Sequence, residues 1–390
     1  MKENQIVKLS DVCDLIPGFA FKSSEFGEHH TKAVKIGDIQ PPYVNYEGMA
    51  GVDISKYSIS KLAKYEISKG DFVLAMTGAT IGKIGRYISE TGAYINQRVL
   101  KFKPHDDVNA DFIYYVVSSA TFQKYILNNI DSETAQPNIS AGSVGKYEFT
   151  LPSIEEQNRI ADVLVSIDNK IQINRQINDN LEQQAQAAFN NIIANTTSDK
   201  TVQLAEIAWL NPKRSISKGT IARSIEMAHL PTTGSFPSGW EMKEYNGGMK
   251  FQNGDTLMAR ITPCLENGKV AFVNFLEDDE IAFGSTEYIT MTPKRQFAPE
   301  VLYFLVRNAE FIDFAVKNMN GSSGRQRVSA DTIGTYELPD ITLEELHILE
   351  TIAREALTKI KYNSLENMRL AEMRDTLLPK LMSGELKINK

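Results

Sequence analysis

Cysteine is nearly absent. Cys13 and Cys264 lie far apart and neither has a Cys-x-x-Cys partner, which excludes a disulfide framework and a cysteine-rich zinc site and fits a reducing compartment. Histidine is equally sparse, at positions 29, 30, 105, 229 and 347 with no His-x-x-x-His spacing, so a zinc centre lacks ligands and no metal residue is assigned. No apolar run approaches the roughly 18 residues of a membrane-spanning helix, and the opening Met1-Lys2-Glu3-Asn4 has no apolar signal core. The expectation is a soluble cytoplasmic protein with no membrane attachment. Net positive charge is missing too. The 390 residues hold 42 Lys and Arg against 49 Asp and Glu, for a net charge of −7. By segment, residues 1–152 carry −1, 153–200 carry −3, 201–339 carry −2 and 340–390 carry −1. Any nucleic-acid contact must therefore come from local clusters, with a partner supplying further positive surface.

Catalytic signatures are missing as well. Gly78-Ala79-Thr80-Ile81-Gly82-Lys83-Ile84-Gly85 resembles a phosphate loop only loosely, because Ile84 stands where the magnesium-binding hydroxyl belongs. A glycine-rich turn between strands is the better reading. Gln40-Pro41-Pro42-Tyr43 is a near miss to the Asp/Asn-Pro-Pro-Tyr/Phe signature of amino-group methyltransferases; Gln is a methylene too long, no glycine-rich cofactor strand precedes it, and a proline turn is expected. Glu155-Glu156 and Glu344-Glu345 follow a Pro at helix starts and read as caps. No nucleophile, base and orienter set recurs in both halves, so no catalytic residue is assigned.

What is present is a repeat. Val7-Lys8-Leu9-Ser10-Asp11-Val12 returns as Val202-Gln203-Leu204-Ala205-Glu206-Ile207, and Asp111-Phe112-Ile113-Tyr114-Tyr115-Val116-Val117 returns 189 residues later as Glu300-Val301-Leu302-Tyr303-Phe304-Leu305-Val306. The same shift carries Ile139-Ser140-Ala141 onto Val328-Ser329-Ala330. Each half has about 150 residues of mixed structure followed by about 45 of continuous helix. Alternating runs such as Phe72–Met76, Val99–Phe102 and Lys269–Val273, bounded by Gly and Pro, read as strands. One amphipathic helix is expected near 109–128 and again near 298–317. The fold class is α+β.

From Ile160 the apolar positions recur at Leu164, Ile167 and Ile171, pass through Asn174 and Asn178, and resume at Leu181, Ala185, Ala188 and Ile192. That is a coiled-coil seam. Its copy runs Leu349, Ala353, Ala356, Ile360, Asn363, Asn367, Leu370, Arg374, Leu377, Leu381. Buried Asn costs stability but fixes register, since facing amides satisfy one another. A helix of about 43 residues spans roughly 65 Å. Antiparallel pairing is favoured, with Asn174 facing Asn367 and Asn178 facing Asn363. The boundaries are 1–152 and 197–339 for the mixed domains, 153–196 and 340–390 for the helical spacers.

The mixed domains also carry polar, hydroxyl-rich loops with isolated cations at matching places. The first holds Thr77, Thr80, Lys83 and Arg86, then Asn96-Gln97-Arg98, then Gln136 and Asn138. The second holds Lys213-Arg214, then Arg260, Thr262 and Lys269, then Ser322, Arg325, Gln326 and Arg327. Such side chains hold phosphates and read base edges, Arg suiting guanine and Asn or Gln adenine. For any one of them a solvated loop is the ordinary reading; the recurrence is what singles them out as candidate DNA contacts.

At this point the chain resembles the specificity subunit of type I restriction-modification systems. The resemblance covers essentially the whole length. It rests on Leu151-Pro152-Ser153-Ile154-Glu155-Glu156-Gln157 at the central helix start, Arg374-Asp375-Thr376-Leu377-Leu378-Pro379-Lys380-Leu381-Met382-Ser383-Gly384-Glu385-Leu386 at the end of the second helix, and Gly70-Asp71-Phe72-Val73-Leu74 echoed by Gly254-Asp255-Thr256-Leu257-Met258. Pro339-Asp340-Ile341-Thr342-Leu343 departs from its counterpart: it is two residues longer and lacks the following Glu-Gln. The resemblance implies two pseudo-symmetric target-recognition domains joined by two long helices in an antiparallel coiled coil. It also implies a non-catalytic subunit that binds a bipartite, asymmetric sequence in double-stranded DNA, each domain reading one half-site. Modification methyltransferase subunits would dock on the coil's outer face, and restriction-translocase subunits would join the full complex. No cofactor is expected in this chain; S-adenosylmethionine, ATP and Mg would belong to the partners. The competing expectation is a coiled-coil adaptor with two protein-binding heads and no affinity for DNA.

Overall fold

The computed structural model describes residues 5–130, 137–196, 198–294, 297–322, 324–386 and 388. The chain forms two compact units, residues 1–169 with 371–390 and residues 170–370. Each holds one mixed head and a stretch of both long helices.

In the first unit, a six-stranded sheet runs in the order Cys13–Pro17, Val99–Pro104, Phe72–Ala75, Ile84–Arg86, Tyr43–Val44, Ile39–Gln40, and a four-stranded sheet in the order Gly51–Val52, Phe26–Val34, Ala93–Ile95, Glu66–Ile67. In the second unit, the corresponding sheets run Ala208–Leu210, Tyr288–Pro293, Thr256–Ala259, Val270–Phe272 and Glu241–Glu244, Ile221–Ile225, Ala282–Gly284, Met249–Phe251. In each unit the sheet given second has a parallel central pair, with Tyr94 opposite Ala33 and Ser224 opposite Phe283. A two-stranded ribbon closes each head, Gln5–Lys8 with Glu148–Leu151 and Thr201–Gln203 with Glu337–Pro339.

The Gly-Asp phrases are turns. Gly70 and Gly254 adopt φ of +96° and +88°, and Asp71 and Asp255 accept the backbone N–H of Ser68 at 2.9 Å and Gln252 at 2.8 Å. Each turn launches a strand buried on both faces, Phe72–Ala75 or Thr256–Ala259, which explains its unbroken apolar run. The Gln40–Tyr43 stretch is a tight hairpin, Ile39–Gln40 pairing with Tyr43–Val44, and Gly78–Thr80 is a single 3-10 turn.

The amphipathic helix near 109–128 is two helices, Ala110–Ser118 and Ala120–Asn128. Ser119 stays extended between them and its Oγ accepts the N–H of Phe122 at 3.2 Å. Asn308 does the same between Pro299–Arg307 and Ala309–Lys317, accepting from Glu310 at 2.8 Å and Phe311 at 3.3 Å. A short polar side chain that bonds the following backbone ends one helix and caps the next, although the apolar spacing continues through it.

The long helices are Ile154–Asn195 and Leu343–Ser383. Gln157 fastens the first start: its Nε2 donates to Pro152 O and its Oε1 accepts from Asn109 N, both at 2.9 Å. Leu346 takes the matching place in the second and packs apolar, while Thr342 and Glu345 form the cap there. In the second unit the helices run antiparallel. Asn174 Nδ2 donates to Asn367 Oδ1 at 2.9 Å and to Glu366 Oε2 at 2.7 Å, and Asn363 Nδ2 donates to Asn178 Oδ1 at 2.8 Å. The seam side chains Ile160, Leu164, Ile171, Ala353 and Ile360 are buried. Near each C-terminus the buried position moves one residue on, to Phe189 and Leu378.

Each head is seated on its helices by a different polar contact. In the first unit, Tyr115 Oη donates to Asp168 at 2.6 Å and Arg374 Nη1 to Asp168 at 2.8 Å; the 189-residue shift turns these three into the apolar Phe304, Leu357 and Ala185. Burial opposes the charge on Arg374, but its bonds to Asp168 and Asp375 win and raise its pKa. In the second unit, Tyr303 Oη donates to the buried Glu182 at 2.6 Å, with Arg307 at 3.6 Å. Arg374→Ala should leave Asp168 part-buried without a cation and cost about 1–2 kcal/mol, measured by hydrogen exchange at 160–169 and 371–381. Unchanged protection there would contradict the pairing.

Candidate nucleic-acid interface

Three loops meet at the end of the interior strand Phe72–Ala75 in the first unit and of Thr256–Ala259 in the second, and their backbone bonds match. In the first unit, Met76 N donates to Arg98 O at 2.9 Å, Ile139 N to Met76 O at 3.0 Å, and Thr77 bridges to Asn138. In the second, Arg260 N donates to Glu287 O at 3.0 Å, Val328 N to Arg260 O at 3.0 Å, and Ile261 bridges to Arg327. The junction is the same scaffold built twice.

Its side chains are not. In the first unit the exposed Arg98, held at φ +73°, donates to Asn138 Oδ1 at 3.3 Å. In the second, Glu287 stands where the shift places Arg98, and Arg327 where it places Asn138. Arg327 grips both oxygens of Glu287, Nε donating to Oε2 at 2.9 Å and to Oε1 at 3.1 Å and Nη2 to Oε1 at 2.8 Å, with Arg260 Nε at 3.9 Å. The bonds from Arg327 hold the Glu287 carboxyl below its ordinary range. One junction thus presents a cation and an amide, the other a neutralised pair.

The remaining candidates separate by what they touch. Thr77 Oγ1 donates to Pro137 O at 2.9 Å and Thr80 Oγ1 to Thr77 O at 3.3 Å, so both hydroxyls brace the loop. Asn96 is half-buried and Gln97 exposed in the turn beside Arg98. Arg86 pairs with Asp111 and lies over the Tyr114 ring at 4.1 Å. Arg214 is largely buried, bonded to Asp255 at 2.8 Å and Thr292 at 2.9 Å. Lys269 donates to Met227 O at 2.7 Å. Thr262 N donates to Gln326 O at 3.1 Å, and Ser322 and Arg325 are exposed on the same loop. Gln136 lies outside the described residues. Lys83, Arg98, Lys213 and Arg325 are exposed and form no ion pair among the described residues, whereas Arg86, Arg214, Arg260 and Arg327 face carboxylates of their own chain.

A selection of cations and amides passes over Glu287, an acid; the only signal for it is that the shift from Arg98 lands there. Glu182 lies in the stretch read as helical spacer. It lines a cavity of about 330 Å³ with Asp179, Thr233 and Arg307, and burial pushes its carboxyl up. Its bond to Tyr303 makes it a seat for the head. Glu287 should titrate below an ordinary glutamate and return to the usual range in Arg327→Ala, read from its carboxyl carbon by NMR. Because its folded-state pKa is depressed, the pair's contribution is present above the unfolded pKa and fades as pH falls through the folded one. Identical titration in both proteins would contradict the pairing.

Residues 1–183 match the family model described as the type I restriction modification DNA specificity domain. The chain is 31% identical over 192 residues to the type I restriction enzyme MjaVIII specificity subunit of Methanocaldococcus jannaschii, a match covering 48% of this chain and 44% of that one. It is 22% identical over 404 aligned residues to the HindI specificity subunit of Haemophilus influenzae, covering 83% and 88%. Among solved structures, the type I restriction-modification S subunit from M. genitalium aligns with a TM-score of 0.57 at 15% identity, over 98% of this chain and 97% of that one. At that identity the likeness is one of fold.

Proposed function

We propose, from the match of residues 1–183 to the type I restriction modification DNA specificity domain, that the protein is the DNA-reading subunit of such a system. It binds a split, asymmetric target in double-stranded DNA, each head reading one half-site. The observation that carries this reading is the twice-built loop junction: its backbone repeats while its side chains change from Arg98 and Asn138 to Glu287 and Arg327. An unaltered scaffold with exchanged polar side chains is what two readers of different sequences require. Arg98 and Asn138 suit guanine and adenine edges. In the second head Arg325 is the exposed cation, and Arg327 is reserved for shaping the loop.

Catalysis lies elsewhere in this reading. Methyl transfer from S-adenosylmethionine and ATP- and Mg-dependent translocation belong to modification and restriction subunits, which dock on the long helices. A chain with net charge −7 needs those partners to share the phosphate contacts, so binding should require the modification subunit and weaken steeply with salt. The protein works in the cytoplasm.

The test is target binding by the chain assembled with modification subunits. Arg98→Ala should relax discrimination at one half-site and Arg325→Ala at the other, each by about 1–3 kcal/mol. Loss at both half-sites from either change would contradict the one-head, one-half-site division. Methylation-sensitive sequencing of the source cell's DNA should give a split, asymmetric methylated-adenine motif. The absence of sequence-selective binding, with or without the partner, would instead favour a protein-binding adaptor.

A further inference from the structure

The sheets with the parallel central pair share their strand order in the two units but not the connection between their outer strands. In the second unit four residues, 245–248, join Glu241–Glu244 to Met249–Phe251; in the first, thirteen residues, 53–65, join Gly51–Val52 to Glu66–Ile67. The longer connection is built into the head. Ser58 Oγ accepts the N–H of Lys61 at 3.3 Å and caps the one-turn helix Ile59–Leu62, and a 3-10 turn follows at Ala63–Tyr65. Leu62 is buried with Phe21, Ala33 and Val52. Tyr57 and Tyr65 pack edge-on to Phe19 at 4.9 and 5.2 Å, and Tyr57 Oη donates to the buried Glu25 at 2.9 Å.

This anchoring turns Lys56, Ser60, Lys61 and Lys64 outward. Residues 54–65 contain three lysines and no Asp or Glu. Glu25 and Asp53 both interact electrostatically with Lys56. Lys61 and Lys64 face rings instead: Lys61 lies 5.1 Å from the Tyr57 centroid and 5.6 Å from Phe19, and Lys64 lies 4.8 Å from Tyr65. Neither forms an ion pair among the described residues. An aromatic face steadies a lysine without cancelling its charge. Two such lysines, with the exposed Ser58 and Ser60 just ahead of them in the chain, match the chemistry of a phosphodiester backbone.

We propose that the ledge formed by residues 56–65 grips the DNA backbone beside the half-site read by the first head, through Lys61 and Lys64. The assignment rests on the DNA-reading function above. It makes the two heads unequal in strength as well as in sequence, because the second has no equivalent ledge. The contact carries affinity that does not depend on base sequence.

The experiment measures DNA affinity against salt for the full chain assembled with modification subunits, comparing wild type with Lys61→Gln/Lys64→Gln. The slope of log affinity against log salt should flatten by about 2, close to one per lost phosphate contact. The loss should be the same whatever bases occupy the first half-site, and Lys61→Arg/Lys64→Arg should retain the wild-type slope. An unchanged slope in the Gln variant, with wild type binding DNA, overturns the ledge and leaves the DNA-reading function standing. An unchanged slope accompanied by weakened subunit assembly assigns the ledge to a protein partner and also overturns it. If the wild-type assembly binds no DNA at any salt, both readings fall.

Discussion

Four asparagines, in a seam whose other positions apart from Arg374 are apolar, are the constraint on which the rest of the chain depends. Asn174 meets Asn367, and Asn363 meets Asn178, at hydrogen-bond distance. Sliding one helix past the other by a heptad would set Asn174 opposite Ile360 and Asn363 opposite Ile171. Each amide stranded there would cost about 1–3 kcal/mol. The apolar seam supplies adhesion without choosing among registers, and the asparagines do the choosing. Pairs further along the helices, Asp168 with Arg374 and Glu182 with Tyr303, then give each head its own seat.

A framework fixed in this way leaves the loops free to vary. The duplicated junction depends on backbone bonds, Met76 to Arg98 and Arg260 to Glu287, which any side chain can make. Reading chemistry can therefore change without touching the core. The central strand beneath each junction is buried on both faces and carries no such liberty.

The features legible in the sequence were the periodic ones. The 189-residue repeat and the long helices survive because spacing alone encodes them. The strand starts at Gly70-Asp71 and Gly254-Asp255 are equally plain, since a local turn makes them. The break at Ser119 is invisible because the buried Phe112, Tyr115, Phe122 and Ile126 keep a helical spacing of three, seven and four through it. The fate of the cations is non-local: Arg214 is taken by Asp255, and Arg327 by Glu287. No spacing rule links those partners, so candidates that looked alike separate only once the chain is folded. The ledge at 56–65 is hidden for a related reason, since its length is remarkable only beside the short turn at 245–248.

The most direct measurement is site-directed cross-linking of the long helices in a chain whose Cys13 and Cys264 have been replaced by alanine. Under mild oxidation, Asn174→Cys with Asn367→Cys should form an intramolecular disulfide readily, and Asn174→Cys with Ile360→Cys should not. Preferential linkage of 174 to 360 would contradict the register, and with it the positions assigned to both heads' seating contacts.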